Sequence, residues 1–448
     1  MKQIRIGSGA GFAGDRITPA VELIEKGNLD YIIFECLAER TMGLAHRAML
    51  KDPKKGFDRL LEKRMRAILE PLKRNGVKMV SNMGAANPEA ACAEIARIAN
   101  ELGVTGLKLA AVTGDSVIES IDRYAELDVL EFPKKLRDVT GVVSANAYMG
   151  AEGITEALQN GADIVITGRV SDPSLTVGIL KHEFGFDATD RERLGQSILA
   201  GHLLECAGQV TGGYYADPGK KEVPDLHRLG FPIVEFREDG RFTVSKVPGT
   251  GGLVSEATCK EQMIYEIHDP TCYYTPDGVA NFSRVAFHAL GKDLVQAEGA
   301  TASPPTDTLK VSVCYKDGYI GEGEISYGGR TALARAKLAA DVVQKRLAIL
   351  GAAPEETRVD YIGCTSLFGE EISARIGEGT PAEVRLRMSV RSCGSETAET
   401  LADEIEALYT NGPAGGGGVV TRVSEVLAVL SVFIPRGDAR AHVSYREV

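Results

Sequence analysis

The chain has no apolar stretch long enough to span a bilayer, and its first residues, MKQIRIGSGAG, lack the apolar core of a signal peptide. Both absences point to a cytoplasmic protein with no membrane role. Lysine and arginine form no run, and 51 of them stand against 62 acidic residues for a formal net charge of −11. That balance argues against gripping nucleic acid or anionic lipid, and leaves room only for a local basic pocket. The eight cysteines, Cys36, Cys92, Cys206, Cys259, Cys272, Cys314, Cys364 and Cys393, include no CxxC, and no His or Cys stands in zinc-ligand spacing. The thiols read as reduced and mostly core. No transition-metal site is expected; Mg²⁺, whose carboxylate sites leave no spacing signature, stays open.

What is present is an alternation. Residues 3–6, 31–34, 77–81, 107–112, 142–146 and 164–166 read as short buried strands, each followed by helical patterning. Strands and helices in this order require crossover connections and a mostly parallel sheet. The fold class is therefore α/β, doubly wound and Rossmann-like in preference to a barrel, with a smaller α+β domain behind it. Thr18-Pro19, Asn87-Pro88 and Asp172-Pro173 read as N-caps followed by proline at the first helical position. ATASPPT, residues 300–306, reads as a linker, and 309–315 with 319–327 as a hairpin about Lys316-Asp317-Gly318. Helices are expected over 331–350 and 397–409, and NGPAGGGG precedes the last strand. This sets an α/β ligand-binding domain at 1–303 and an α+β domain at 304–448, with the 44% hydrophobic content sufficient for both cores.

GADIVITGRVSDPSLTVG passes from strand to loop to helix within residues 161–178, so Arg169 and Ser171 fall at a strand's carboxyl end, where open α/β sheets bind ligands. The Arg169 guanidinium suits a carboxylate or phosphate; the alternative is an ion pair with a neighbouring loop. Asn82, Asn146 and Asp115 follow comparable strands, where amides orient polar substrates or merely satisfy turns. Gly9, Gly11 and Gly14 match G-x-G-x-x-G, and Glu35 ends the next strand as a ribose-binding acid does. The helix, however, starts late, at Thr18-Pro19, which leaves Asp15 and Arg16 on the loop and displaces a pyrophosphate seat. A dinucleotide, a substrate-holding loop and a structural turn all remain open. His202, Glu205 and Cys206 share a helix face beside GQVTGGYY, whose Gly212 and Gly213 line a turn. Glu205 is a general acid or base with a burial-raised pKa, or else part of a solvated helix face; the His–Cys spacing reads as core packing. Lys108 reads as the wet beginning of its strand. Together these make Glu205, Asp15 and Asp115 the catalytic candidates. Arg16, Asn82, Asn146, Arg169, Ser171, Gly212 and Gly213 are the substrate-binding candidates, and Gly9, Gly11, Gly14 and Glu35 the cofactor-binding ones.

Read together, GSGAGFAGDR, GADIVITGRVSDPSL, LLECAGQVTGGYYADP, VPGTGG and NGPAGGGG make the chain resemble the acyclic terpene utilisation A family over nearly its full length. The resemblance implies a role in bacterial breakdown of citronellol- and geraniol-type terpenes through branched acyl-CoA intermediates. Some members carry a small extra domain or meet it as a separate chain; this sequence stops at Val448 without one, which leaves a small partner subunit open. The expectation is a cytoplasmic, homo-oligomeric enzyme for an anionic carboxylate or acyl-CoA, with CoA as a substrate moiety and lyase or hydratase chemistry. The alternatives are an NAD-dependent oxidoreductase and a non-catalytic acyl-CoA-binding subunit of a two-component enzyme.

Overall fold

The computed structural model describes residues 2–376 and 381–448. The chain divides into two compact units, Met1–Cys314 with Val429–Val448, and Tyr315–Ala428.

In the first unit the apolar runs form β1 (Gln3–Ala10), β2 (Tyr31–Phe34), β3 (Lys78–Ser81), β4 (Lys108–Thr113), β5 (Val142–Ala147) and β6 (Ile164–Thr167). Between and after them lie α1 (Thr18–Lys26), α2 (Glu39–Lys51), α3 (Leu61–Asn75), α4 (Pro88–Leu102), α5 (Glu152–Gln159), α6 (Ser174–Phe184) and α7 (Arg191–Glu205). Five strands pair in parallel in the order β1-β2-β3-β6-β4, so their carboxyl ends share one edge. β2 and β6 are buried along their whole length, as continuous apolar strands need. Ile32, Phe34, Met79, Leu109, Ala111, Ile164 and Ile166 share one core with side chains of α1, α3 and α4. Each buried Ile, Leu, Met or Phe among them contributes roughly 1.5–3 kcal/mol.

β5 departs from the expected alternation. It lies outside the parallel sheet and pairs with the strand Thr308–Gly328; just beyond it, the Tyr148 N–H donates to the Lys310 carbonyl at 2.8 Å. The edge of β4 that it would have taken is occupied by His442–Glu447, antiparallel to β4. Beyond β1 the sheet continues antiparallel through β7 (Pro232–Arg237) and β8 (Phe242–Lys246) to Leu294–Glu298 and Ala286–Gly291. The ten-stranded sheet is thus mixed and open, with Ala286–Gly291 and His442–Glu447 as its edges, and is not a barrel. Within the expected linker, Thr301–Ser303 is a strand paired with Val279–Asn281.

In the second unit, helices Ala332–Ile349 and Ser395–Asn411 share a core with the strand Glu383–Ser392. The expected hairpin is not formed: both halves belong to the single strand Thr308–Gly328, whose Tyr319–Gly328 stretch pairs with Glu383–Ser392. Gly318 adopts φ +77°, and a Cβ there would stand 2.4 Å from the Ser392 carbonyl oxygen. A long partner strand lying within reach displaces the local turn. NGPAGGGG precedes Gly417–Pro435, the penultimate strand; the last is His442–Glu447.

Of the three expected caps, Asn87 forms, its Oδ1 accepting the Ala90 N–H at 3.2 Å. Thr18 is instead the first residue of α1 and makes no capping bond. Asp172 does not cap α6, because its carboxylate is taken by the guanidinium of Arg169.

Candidate functional site

The carboxyl ends of β2, β3, β4 and β6 bring Glu35, Asn82, Asp115 and Arg169 together, as their positions along the chain suggest. Glu35 Oε1 accepts the Leu37 N–H at 2.9 Å and Asn82 Nδ2 at 2.8 Å, while Asn82 Oδ1 accepts the Cys36 N–H at 2.8 Å. Asp115 Oδ2 accepts the Arg169 N–H at 3.0 Å and Asn146 Nδ2 at 2.8 Å. With its amide nitrogen committed, Asn146 presents Oδ1 to His46 Nε2 at 3.0 Å, which requires the proton on that nitrogen. Gly168 permits the contact, since a Cβ there would stand 2.5 Å from Asp115 Oδ1. Burial raises the Asp115 carboxyl above its ordinary value, against the Arg169 N–H and the Asn146 amide, and lowers His46, which is thereby held neutral. Burial and then the charge of Asp172 push Glu35 well up.

Arg169 is 1% exposed. Its Nε donates to the Val170 carbonyl at 2.8 Å and Nη1 to the Leu37 carbonyl at 2.5 Å, while Nη2 bonds the Val170 carbonyl and Asp172. The guanidinium carbon lies 4.3 Å from the Tyr148 ring centre, and Lys310 Nζ lies 4.7 Å from the same ring. Burial opposes its charge, but Asp172, Tyr148 and Glu35 outweigh it and hold Arg169 firmly cationic. Asp172, with 38% of its side chain exposed, brings this cluster to solvent. Its charge acts on Glu35, Tyr148, Arg169, Glu205 and Tyr273 alike.

Glu205 ends α7. Its Oε1 lies 2.6 Å from His202 Nδ1, whose Nε2 faces the Met263 carbonyl at 3.1 Å. The short contact is electrostatic, for Nδ1 has no well-directed hydrogen-bond acceptor, and Glu205 Oε2 is buried with no partner among the described residues. Since a carbonyl can only accept, Nε2 carries a proton, and an attractive contact at 2.6 Å then needs one further proton in the pair. Burial lowers His202, but the Glu205 carboxylate more than reverses this and its pKa rises; burial raises Glu205 against the pull of His202. Both shifts run towards keeping that proton in the pair. Tyr273 and Phe282 cover the imidazole at ring-centre distances of 5.3 and 6.1 Å. The Cys206 thiol is pushed up by burial and stays protonated.

The glycine motif serves this pair through packing. A Cβ on Gly11 would stand 2.3 to 2.4 Å from backbone atoms of Glu205 and Cys206. Gly9 lies inside β1 with its empty side filled by Phe34, and Gly14 faces the Phe12 ring. Asp15 Oδ2 accepts the Gly11 N–H at 2.8 Å, and burial raises its pKa against that bond and the nearby Arg64. Arg16 points away, donating to the Leu226 and His227 carbonyls at 3.1 and 3.3 Å. Ser171 is buried, with its N–H on the Met149 carbonyl at 2.9 Å. Gly213 lines a cavity of about 380 Å³ with Tyr214, Tyr215 and Gln262, and Gly212 takes φ +99° in the turn before it.

Residues not anticipated from the sequence include His46, Arg64 with Asp58, Tyr148, Tyr273 and Gln262. Arg64 donates to Asp58 at 3.0 Å and to the Ala13 carbonyl at 2.9 Å, fastening the glycine loop. A signal existed: Arg64 sits three residues after Leu61 and four before Ile68, on the apolar stripe of α3, where an unpaired charge is not tolerated. His46 likewise lies four after Met42 on the buried side of α2. Lys108 is as expected, with Nζ on the Asn160 carbonyl at 2.8 Å at the wet start of β4. Among the described residues no group of three or more His, Cys, Asp or Glu could hold a metal ion, and no helix is long and apolar enough to cross a membrane.

The chain matches no curated protein and no solved structure. It does match, over residues 4–445, the model of the acyclic terpene utilisation family protein AtuA. With nearly all of its length covered, including every strand-end loop described above, the chain belongs to the AtuA family, and a role in acyclic terpene catabolism follows from that membership.

Proposed function

We infer that the chain is a catabolic enzyme that adds or removes water on a carboxylate or acyl-CoA intermediate, by acid–base chemistry at its own side chains. A doubly wound, Rossmann-like sheet within the ligand-binding part, residues 1–303, holds the site at its carboxyl edge. The observation that carries the reading is the orphaned Glu205 Oε2 beside a His202 imidazole 2.6 Å from Oε1. In dehydration, Oε2 takes the proton from the carbon next to the carbonyl. The C–H electron pair forms the double bond as the C–O bond breaks with its pair on oxygen, and Glu205 returns the same proton to that oxygen, releasing water. His202 remains protonated and keeps the carboxylate in place; hydration is the reverse. Arg169 and Asp172 fix the strand-end loop that borders the pair, and Asp115 with Asn146 anchors the Arg169 backbone.

The test is exchange of the proton next to the carbonyl, and interconversion, for a panel of 2-enoyl- and 3-hydroxyacyl-CoA thioesters in deuterated water. Wild type is expected to turn over at least one, and Glu205→Gln to lose on the order of 100-fold or more. Turnover that requires NAD would move the chain to the oxidoreductases, and tight binding of thioesters without exchange would make it a substrate-delivering subunit.

A further inference from the structure

Glu35 takes no part in that chemistry. Its Oε1 is filled by the Leu37 N–H at 2.9 Å and Asn82 Nδ2 at 2.8 Å, both donors, so that oxygen is committed as an acceptor. Oε2 bonds nothing among the described residues and, unlike Glu205 Oε2, is not sealed from solvent, although the residue as a whole is 9% exposed. When the carboxyl holds a proton, the proton therefore sits on Oε2, and the O–H points away from the protein's own network. Burial and then the charge of Asp172 favour that form, against Arg169 and the two N–H donors. The Cys36 and Cys206 thiols lie near it too and are kept protonated by burial. A ribose hydroxyl would need an acceptor here; a protonated Oε2 offers a donor. Other donors at this edge are spent: Nε, Nη1 and Nη2 of Arg169 each bond the protein, and Asn146 Nδ2 bonds Asp115. The Ala10 carbonyl accepts the Glu35 N–H at 2.9 Å, and the next residue, Gly11, packs on the backbone of Glu205 and Cys206, so both glutamates border one strand end.

Resting on the acyl-CoA reading above, we propose that Glu35 is a further catalytic residue, its Oε2–H donating to the carbonyl oxygen of an acyl thioester. When the carbon next to that carbonyl gives up its proton, negative charge gathers on the oxygen, and the hydrogen bond tightens with it. Glu35 keeps its own proton throughout; it polarises the carbonyl and transfers nothing. A carboxylic acid held neutral is suited to this, because it donates strongly without bringing a second charge beside Asp172. The substrate class follows from the same field. At Glu35 the charge of Asp172 outweighs that of Arg169, which disfavours a free carboxylate and favours the neutral thioester.

The experiment combines infrared difference spectroscopy with proton exchange on the full chain. Without ligand at neutral pH, the spectrum of wild type minus that of Glu35→Gln is expected to show the carbonyl band of a protonated carboxyl. Butyryl-CoA and isovaleryl-CoA, labelled with heavy carbon at the thioester carbonyl, are then bound. The carbonyl stretch of at least one is expected to fall below its frequency in water in wild type and to fall less in Glu35→Gln, whose amide keeps the Leu37 and Asn82 bonds and puts a weaker N–H donor where Oε2–H was. In Glu35→Met it does not fall. Exchange of the proton next to the carbonyl in deuterated water follows the same order, down about tenfold in Glu35→Gln and on the order of 100-fold or more in Glu35→Met. The proposal fails if the carboxyl band is missing, if Glu35→Met exchanges like wild type, or if Glu35→Gln is as impaired as Glu35→Met, which would make Glu35 an ionised acceptor. If wild type binds neither thioester, the acyl-CoA reading falls and takes the proposal with it. Thioesters bound and exchanged with Glu35→Met unimpaired leave that reading standing and remove the proposal alone.

Discussion

His202 and Glu205 meet on the last turn of α7 with Nδ1 and Oε1 2.6 Å apart, while Nε2 turns to the Met263 carbonyl at 3.1 Å. Three residues apart on a helix, the two side chains are neighbours by geometry alone; what makes them a proton-sharing pair is burial. At 1% and 7% exposure neither charge has water to fall back on, so each is the other's main solvent.

The pH dependence follows. Both groups hold a proton more tightly folded than unfolded, so the stability they contribute is complete below the unfolded values and is lost as pH rises through the folded ones. The loss starts above about 4.5 for Glu205 and above about 6.5 for His202, their ordinary values. Glu205→Gln removes the carboxylate that does most to raise His202 against burial, so the imidazole pKa falls. Nitrogen NMR of His202 is expected to show that drop, and denaturation at several pH values to show a flatter decline above neutrality. An imidazole that titrates as in wild type contradicts the pairing.

Arg169→Lys is expected to destabilise the fold. Lysine cannot span the Leu37 and Val170 carbonyls and Asp172 from one planar fork, nor stack on Tyr148 in the same way. Leaving those buried acceptors short of donors costs on the order of 2–4 kcal/mol. Denaturant unfolding measures it, and a variant as stable as wild type would show that the guanidinium is not committed to the protein.

The local grammar of the first unit was legible because its signals are local. β2 and α4 start and stop where an uninterrupted apolar run, Asn87-Pro88 and Gly103 say they do. What was not legible is decided by a distant partner. β5 has the right residues for a parallel strand, but His442–Glu447 holds the edge it would need. Lys316-Asp317-Gly318 looks like a turn until Glu383–Ser392 is present to pair across it. Asp172 has the sequence of a cap, yet a buried cation competes for the same carboxylate and wins. Arg64 and Arg66 stand two apart in a charged helix, and only the packing distinguishes a side chain 1% exposed from one at 39%. Of the candidate site, the strand-end residues were found because topology gathers them; Gln262 was not, because nothing near it in sequence announces its bond to the His202 carbonyl.

Asn146→Asp is expected to turn an attraction into a repulsion. The Asn146 amide is the donor to Asp115 at 2.8 Å, and a second carboxylate in its place faces a buried acid already raised by desolvation. The cost at neutral pH is on the order of 3–5 kcal/mol, as for other uncompensated buried charges. Protonating either carboxyl restores a donor, so the deficit shrinks as pH falls. Melting curves of variant and wild type should therefore converge on acidification, and parallel curves would refute the account.

The glycine motif allows a comparison that separates packing from cofactor binding. A Cβ on Gly11 would stand 2.3 Å from the Cys206 carbonyl carbon and 2.4 Å from the Glu205 carbonyl oxygen, both backbone atoms with no rotamer to escape into. A Cβ on Gly14 would meet the Phe12 ring at 2.5 Å, and Phe12 is 66% exposed and free to swing away. Gly11→Ala must then displace the end of α7, at a cost of about 1–3 kcal/mol or more, whereas Gly14→Ala should stay within about 0.5 kcal/mol. The added methyl presses on the Glu205 carbonyl itself, at the last residue of α7 and almost a turn beyond His202, so the Glu205–His202 contact and the raised imidazole pKa should be lost in Gly11→Ala and persist in Gly14→Ala. A dinucleotide cradle makes the opposite forecast: both variants would lose NAD binding together, with His202 untouched. The His202 titration and an NAD binding measurement on the same two proteins decide between the two roles for the loop.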